Sequence, residues 1–256
     1  MKTKNDSRTK GNEVHVKVGG AERRLGRFYG SVARSQNNDI ISLISGRRIL
    51  DIGCGYGCLL DQIRRDRPVS EVFGVEIDPE SIEMGRRLYN IDIRRMSAYK
   101  LDFPDGHFDT VILRETIHHF DTYANLKAAL NEIRRVCGKE LIIFDPNPNW
   151  IVKLSRKLIK HVDPEAPCDY VVKALRESGF KIASLKWRDV IAFPLSGGFI
   201  GKEFVPNIKF FKDAVMMLDK TINIILSGLN IQKHFCWRYL IYAVKDNAGS
   251  QKAVKR

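Results

Sequence analysis

The sequence predicts an α/β protein built on a doubly wound, mostly parallel sheet of seven strands, with the last strand antiparallel. Three observations carry this prediction. From residue 48 onward, short apolar segments alternate with amphipathic helical segments, and a glycine-rich loop follows the first apolar segment. The chain has 256 residues, 44 % of them hydrophobic, which suffices for one full core. Such alternation favours right-handed βαβ units and therefore a parallel sheet.

The N-terminal region comes before the alternating pattern. Residues 1–20 are polar and end in two glycines, which predicts a flexible basic arm. Residues 21–45 carry apolar side chains at helical spacing, which predicts an N-terminal helix. Residues 21–256 are expected to form a single domain.

The central region carries five predicted strands, at residues 48–52, 72–77, 91–95, 108–113 and 140–144. Helices are expected between them. The clearest helix start is Asp78-Pro79-Glu80, with an N-cap aspartate, proline at the first helical position and an acidic first turn.

The last third follows the alternation more loosely. Helices are predicted over residues 150–162 and up to about residue 178, where Gly179 ends the second one. A strand at 181–187 follows, and residues 236–244 are expected to be the antiparallel closing strand. Residues 194–236 between them are predicted to be an insertion, helical over 208–226, that covers the substrate.

The charge is unevenly distributed. The formal net charge is +13, of which +5 falls on residues 1–30, −2 on residues 31–145 and +10 on residues 146–256. A basic surface can hold nucleic acid, anionic lipid headgroups or an acidic substrate, and it can also serve solubility alone.

Five cysteines occur without a C-x-x-C pair, so neither a disulfide framework nor a zinc site is predicted. The first ten residues lack the apolar region of a signal peptide, and no apolar run approaches about 18 residues. The sequence therefore predicts a reduced, cytoplasmic protein without a metal.

The loop at residues 51–57, Asp-Ile-Gly-Cys-Gly-Tyr-Gly, carries the chemistry. Its glycines permit a tight turn and the close approach of a ligand. The third glycine of a dinucleotide fingerprint is replaced by Cys58. Asp51 suits a ligand ammonium group better than a pyrophosphate, and Glu76, at the end of the second strand, can accept both hydroxyls of a ribose. Ammonium plus ribose describes S-adenosylmethionine better than NAD, although Asp51 can also simply cap the turn.

Four segments, at residues 49–57, 74–79, 101–109 and 117–119, together resemble the class I S-adenosylmethionine-dependent methyltransferases. They are most similar to the subgroup that includes ubiquinone- and menaquinone-type enzymes and many small-molecule methyltransferases. The resemblance implies a Rossmann-like sheet, S-adenosylmethionine as cofactor, and a cofactor half at about residues 46–145.

The resemblance also implies which positions contact the cofactor. Glu76 is expected to bind the ribose, Ile77 to pack on the adenine, and the backbone at Arg114 to pass under the sulfonium. Ser97 stands where the family usually has an acid for the adenine amino group, and serine accepts a weaker hydrogen bond. The full set is Asp51, Gly53, Cys54, Gly55, Glu76, Ile77, Ser97, Ala98 and Arg114.

A general base is needed only if the acceptor carries a proton that is difficult to remove. His119 and then His118 are the candidates, because they follow the fourth strand and imidazole titrates near neutrality. Glu115 is a further candidate. Histidines at this place can also lack a catalytic role.

Acceptor choice is expected to depend on the last third of the chain. Apolar side chains of the 194–236 insertion, its Phe and Met residues among them, are expected either to line an apolar cavity next to Gly53 and His119 or to pack in the core. The basic helix at 150–162 fits either an anionic membrane surface or an ordinary surface helix whose apolar stripe faces inward.

The favoured acceptor is small, apolar or lipid-linked, and methylated on oxygen or carbon. RNA or protein methylation and cofactor binding without catalysis are the alternatives, although the amino-methylating DNA enzyme motif is absent after the fourth strand and nucleic acid is not expected.

Overall fold

Nine strands and eight α-helices are present in the computed structural model, which describes residues 14–18, 21–25, 27–69, 71–158, 164–198, 204–206 and 208–246. The strands are β1 (Val14–Val18), β2 (Ala21–Leu25), β3 (Arg48–Ile52), β4 (Glu71–Glu76), β5 (Ile93–Arg95), β6 (Phe108–Arg114), β7 (Cys137–Pro146), β8 (Phe180–Arg188) and β9 (Arg238–Lys245). The helices are α1 (Arg27–Ile41), α2 (Cys58–Asp66), α3 (Pro79–Tyr89), α4 (Tyr123–Val136), α5 (Trp150–Leu158), α6 (Cys168–Glu177), α7 (Ala192–Leu195) and α8 (Lys209–Gly228).

Seven of the strands form one sheet in the order β5-β4-β3-β6-β7-β9-β8. Strands β5, β4, β3, β6 and β7 are parallel, whereas β9 runs antiparallel to both β7 and β8. The predicted fold class is thereby confirmed. The direction of winding reverses between β3 and β6, and in such sheets ligands bind outside the carboxyl ends of the strands at this point.

Alternate residues of the central strands point to opposite faces of the sheet, and each face has its own hydrophobic core. Ile49 and Ile112 face α2 and α3 in one cluster, together with Leu60 and Ile82. The residues next to them in the strands, including Leu50, face α4 and α6 in the other cluster. Both sheet faces are therefore covered by helices, which explains why the strands are nearly continuous apolar runs.

The N-terminal prediction needs correction. Residues 14–18 were expected in a flexible arm, but they form β1, which pairs antiparallel with β2. The helix expected from residue 21 begins at Arg27 instead. Val14, Val16 and Val18 alternate with polar residues, and this period of two is typical of a strand rather than an arm. Residues 1–13 of the predicted arm lie outside the described residues.

The predicted start of α3 is confirmed. Asp78 is the N-cap, and its Oδ2 accepts a hydrogen bond from the backbone N–H of Ser81 at 3.2 Å. Pro79 occupies the first helical position. This cap fixes the direction in which the chain leaves β4, directly behind Glu76.

Candidate functional site

The loop between β3 and α2 lies at the carboxyl edge of the sheet. Gly53, Gly55 and Gly57 all have positive φ angles, of 70°, 53° and 79°. The amides of Gly53 and Cys54 both donate to the carbonyl oxygen of Val75, at 2.8 and 3.2 Å, which ties the loop to β4. A Cβ at Gly53 would lie 2.5 Å from the Thr116 hydroxyl oxygen, so the loop also packs closely against the segment after β6.

Asp51, at the end of β3, is only 2 % exposed. Its Oδ1 has no hydrogen-bond partner among the described residues. Burial raises the pKa of this carboxyl to about 8, opposed by the positive charge of Arg114 and reinforced by the negative charge of Glu76. A buried carboxyl oxygen without a partner, beside a glycine loop, is the environment that a ligand ammonium group would complete.

Glu76 ends β4 opposite this loop and is partly buried. Its Oε2 accepts from the amide of Gly55 at 2.9 Å, and its Oε1 accepts from the amides of Ile77 and Asp78 at 2.7 and 3.1 Å. The backbone therefore holds the carboxylate at the loop. Ile77 is 66 % exposed at the tip of the strand, an apolar surface on which a flat ring can pack.

The turn after β5 carries Ser97 and Ala98. Ser97 is exposed, and its hydroxyl oxygen accepts from the amide of Tyr99 at 3.3 Å. Ala98 is partly buried against the larger core. The Ser97 hydroxyl therefore lies in the turn after β5, where its oxygen already accepts a hydrogen bond from the backbone of that turn.

The two histidines occupy different environments in the short 3-10 turn Ile117–His119. His118 is buried, and its Nδ1 lies 3.0 Å from Asp145 Oδ2 at the end of β7. The amide of Ile117 donates to Asp145 Oδ1 at 3.2 Å. Burial raises the pKa of Asp145, while the hydrogen bond and the charge of His118 oppose that shift. His119 is exposed, with its ring centroid 4.2 Å from that of His118. His118 is therefore the histidine held in one orientation.

A charged cluster that the sequence did not predict lies beside Arg114. Arg114 Nη2 donates to Gln36 Oε1 at 3.1 Å, and Gln36 Nε2 donates to Asp189 Oδ2 at 2.7 Å. Burial raises the pKa of Asp189 to about 7. Arg238 Nε donates to Glu115 Oε1 at 2.6 Å. A single arginine at the start of an otherwise apolar strand was the one sequence signal for this cluster.

Within the described part of the predicted insertion, helix α8 leaves several of its large apolar side chains exposed. Phe210, Phe211 and Met217 of α8 are exposed, so for these residues both expectations, an enclosed apolar cavity and packing in the core, are wrong. Met216 is partly buried in a small cluster that contains Phe193 and Trp237. Arg238 stacks on the ring of Phe193, 4.1 Å from its centroid, so that this small cluster borders the charged one.

No group of three or more potential metal ligands occurs among the described residues. In the same part of the chain, no helix is long and apolar enough to cross a membrane. Cys168 is buried in the larger core, Cys236 is buried just before β9, and all five cysteines are free thiols.

Substituting Glu76 by alanine is expected to weaken binding of S-adenosylhomocysteine by about 1–3 kcal/mol, because a charged hydrogen-bond acceptor at the loop is lost. Isothermal titration calorimetry measures the change, with thermal unfolding recorded in parallel. Glu83→Ala, on the exposed side of α3, is the matched control and should leave the affinity unchanged. A Glu76→Ala protein that is less stable but binds with wild-type affinity would assign Glu76 a purely structural role.

Comparisons with known proteins agree with this geometry. A family model described as a methyltransferase domain matches residues 50–144. Over 166 residues the chain is 28 % identical to the O-methyltransferase resE of Aspergillus sclerotiorum, covering 59 % of this chain and 60 % of that protein. It is 29 % identical over 112 residues to a fatty-acid O-methyltransferase of Mycolicibacterium smegmatis, covering 42 % of this chain and 40 % of that protein. A demethylmenaquinone methyltransferase of Thermus thermophilus is 32 % identical over 111 residues, covering 40 % and 49 %.

The matches thus span about half the length of these curated relatives. Among solved structures, an S-adenosylmethionine-dependent methyltransferase from Archaeoglobus fulgidus superposes with a TM-score of 0.61 at 18 % identity, covering 84 % of this chain and 94 % of that chain. At this identity the likeness shows the fold alone.

Proposed function

We propose that this chain, whose residues 50–144 form a domain of the class I S-adenosylmethionine-dependent methyltransferase family, transfers a methyl group to a small, apolar or lipid-linked acceptor. The family resemblance and the cofactor, S-adenosylmethionine, are confirmed. The observation that carries the proposal is Asp51, a buried carboxyl with an unpartnered oxygen beside three glycines of positive φ.

The residues present fit the cofactor. Asp51 would hold its ammonium group, with Gly53, Cys54 and Gly55 against the methionine part. Glu76 would accept from the ribose hydroxyls and Ile77 would pack on the adenine. Ser97, Ala98 and the backbone at Arg114 complete the proposed contacts. When bound, the cofactor supplies an electrophilic methyl group, and alignment of the acceptor with it in a water-poor site supplies much of the rate.

His118 is proposed to take a proton from a hydroxyl acceptor. Its Nδ1 lies 3.0 Å from Asp145 Oδ2, and an ionised Asp145 would favour the tautomer with the proton on Nδ1, which would leave Nε2 as the basic nitrogen. The turn that carries His118 follows Thr116, whose side chain leaves no room for a Cβ at Gly53, so this turn begins next to the glycine loop. His119 beside it is exposed and is proposed to serve acceptor contact or a secondary proton path.

The acceptor class rests on two supports. Relatives at 28–29 % identity are named as O-methyltransferases, one of them acting on fatty acids. The exposed apolar side chains of α5 and α8 also favour contact of the protein with a lipid surface, where a lipid-linked acceptor would be found. We therefore propose a cytoplasmic enzyme with peripheral contact to the inner face of an anionic membrane.

Methyl transfer can be tested with S-adenosylmethionine labelled in its methyl group. We expect label in the organic extract when a long-chain fatty acid or a total lipid extract is the acceptor, and less label with Glu76→Ala. Label only in RNA or in protein would favour the alternative that uses the basic ends of the chain. Binding of S-adenosylhomocysteine without label in any acceptor would favour a non-catalytic cofactor-binding protein.

A further inference from the structure

Helix α8 has its polar residues buried and its apolar residues exposed. Asp219 is buried, and its Oδ1 accepts from the amides of Val190, Ile191 and Ala192 at 2.9, 2.7 and 2.8 Å. Asn223, one turn later, is also buried, and its Nδ2 donates to the carbonyl oxygen of Trp187 at 3.0 Å. These contacts with the end of β8 and the start of α7 fix the rotation of α8 about its axis.

The opposite face of α8 carries an apolar stripe, interrupted by two exposed charged residues, Asp213 and Lys220. Phe210, Met217 and Ile224 are spaced by seven residues and are 73 %, 70 % and 72 % exposed. Seven residues is close to two turns at about 3.6 residues per turn, so the three side chains lie in one line. Exposed Leu218 and Ile225 follow two of them and widen the stripe. Across its 20 residues the helix is about 30 Å long, so the stripe is a substantial exposed apolar surface.

Helix α5 adds to the same end of the molecule. Val152 of α5 and Met216 of α8 pack on one cluster around Phe193 and Trp237. The sequence allowed an inward apolar stripe on α5 through residues 151, 154, 158 and 162, but Leu154 and Leu158 are exposed, and residue 162 lies outside the described residues. Val152 and Arg156 point inward instead, because the helix is rotated relative to that expectation.

Exposed lysines stand beside these apolar side chains. Lys157 lies on α5 and Lys220 on α8. Lys153 and Lys209 are exposed as well, but each forms an ion pair, with Glu165 at 3.1 Å and with Asp213 at 2.7 Å. Residues 146–256 as a whole carry a net charge of +10. A second copy of the chain docked face to face would bring two such basic surfaces together, whereas an anionic bilayer is complementary in charge and in polarity.

We propose that α8, with the exposed side of α5, lies in the plane of an anionic bilayer surface and inserts its apolar stripe at the headgroup boundary. Trp150, exposed at the start of α5, is the residue type that favours this depth. The cluster under both helices contacts Arg238 through Phe193, and Arg238 bonds Glu115 at the candidate site. Docking therefore places the carboxyl edge of the sheet next to the lipid. The proposal stands on surface geometry and does not require that the chain transfers a methyl group.

Vesicle co-sedimentation tests the docking surface. The full chain should bind phosphatidylcholine vesicles that contain phosphatidylglycerol, release them at high salt, and bind pure phosphatidylcholine much more weakly. Met217→Gln with Ile224→Gln should lower the partition coefficient by at least about ten-fold, since two apolar side chains no longer insert. Leu88→Gln with Leu185→Gln, exposed apolar side chains elsewhere on the surface, is the matched control and should bind as the wild type does.

Charge is tested separately. Lys157→Gln with Lys220→Gln should weaken binding to the anionic vesicles by about 30-fold at low salt. Lys173→Gln with Lys181→Gln removes the same charge on other elements and should change binding far less.

Absence of binding to anionic vesicles, or wild-type binding by the Met217→Gln, Ile224→Gln protein, overturns the proposal. If that protein is a monomer where the wild type is a dimer that ignores vesicles, the stripe belongs to an interface between copies. Calorimetry with S-adenosylhomocysteine should be unchanged in all these variants, which separates failure of docking from failure of the proposed function.

Discussion

Replacing Asp51 by asparagine is expected to raise the free energy of unfolding of the ligand-free protein by about 2–4 kcal/mol near pH 7. The folded-state pKa is raised from the ordinary 3.8 to about 8. Between these two values the unfolded chain has released the proton that the folded chain still holds. Stability therefore falls as pH rises through this window, by about 1.4 kcal/mol per pH unit, and asparagine removes that loss.

Urea or thermal unfolding at several pH values measures this effect. The wild type should lose stability between about pH 4 and pH 8 relative to Asp51→Asn, and the two should converge below that window. For a chain of this length the difference near pH 7 corresponds to a Tm change on the order of 10 °C. Asp102→Asn, an exposed carboxylate, is the control and should follow the wild-type curve. Parallel curves for wild type and Asp51→Asn would show that Asp51 is ionised in the folded protein without a ligand.

The same substitution should weaken binding of S-adenosylhomocysteine by about 10- to 150-fold, because a buried charged partner of the ammonium group is lost. Wild-type binding near pH 7 should also release a proton from Asp51, since the ammonium stabilises the carboxylate. Titrations in two buffers of different ionisation enthalpy detect that proton. Asp51→Asn should release none. A substitution that stabilises the fold but weakens ligand binding is typical of a functional residue, because such a residue lowers stability in order to bind the ligand.

The second large effect concerns His118 and Asp145. With a hydroxyl acceptor, His118→Gln should lower kcat by about 10²- to 10⁴-fold, because the proposed general base is removed. Asp145→Asn should act in the same direction, since the amide can no longer hold the imidazole with Nδ1 protonated. In both variants the acid limb of the kcat pH profile should flatten, while affinity for S-adenosylhomocysteine stays near the wild-type value.

His119→Gln, one residue away and exposed, is the comparison variant, and a role in acceptor contact predicts a change in KM rather than in kcat. A larger loss of kcat in His119→Gln than in His118→Gln would move the base to the residue that the sequence had favoured. Unchanged kcat in all three variants would contradict a general base and favour an acceptor that is already ionised, such as a carboxylate.

Much of the fold follows from local patterns. The alternation after residue 48 predicted the strands from β3 to β7, and the run Asp78-Pro79-Glu80 predicted the helix cap. The antiparallel closing strand was a separate expectation, which β9 confirms. The sequence does not predict the hairpin of β1 and β2, because residues 14–18 lie in a mostly polar segment that also fits a flexible arm and residues 21–25 also fit the start of a helix. The loop at residues 51–57 and Glu76 were placed together correctly, since the carboxyl ends of neighbouring parallel strands meet at one edge.

The rest of the site required the tertiary structure. Asp145 reaches His118 across 27 positions, and Arg238 reaches Glu115 across 123, so no local spacing encodes either pair. His118 and His119 are adjacent, so the sequence does not show which of them is buried. The packing of the 3-10 turn buries His118 and exposes His119. The apolar run of α8 predicted a helix, but Asp219 and Asn223 decided which face turns outward. By itself the sequence determined the strand pattern, the glycine loop and the cofactor, because these depend on backbone conformation and on contacts between neighbouring strand ends. Tertiary structure alone decided the partner of each buried polar group and the face of each helix left to solvent, because both depend on which distant segments meet.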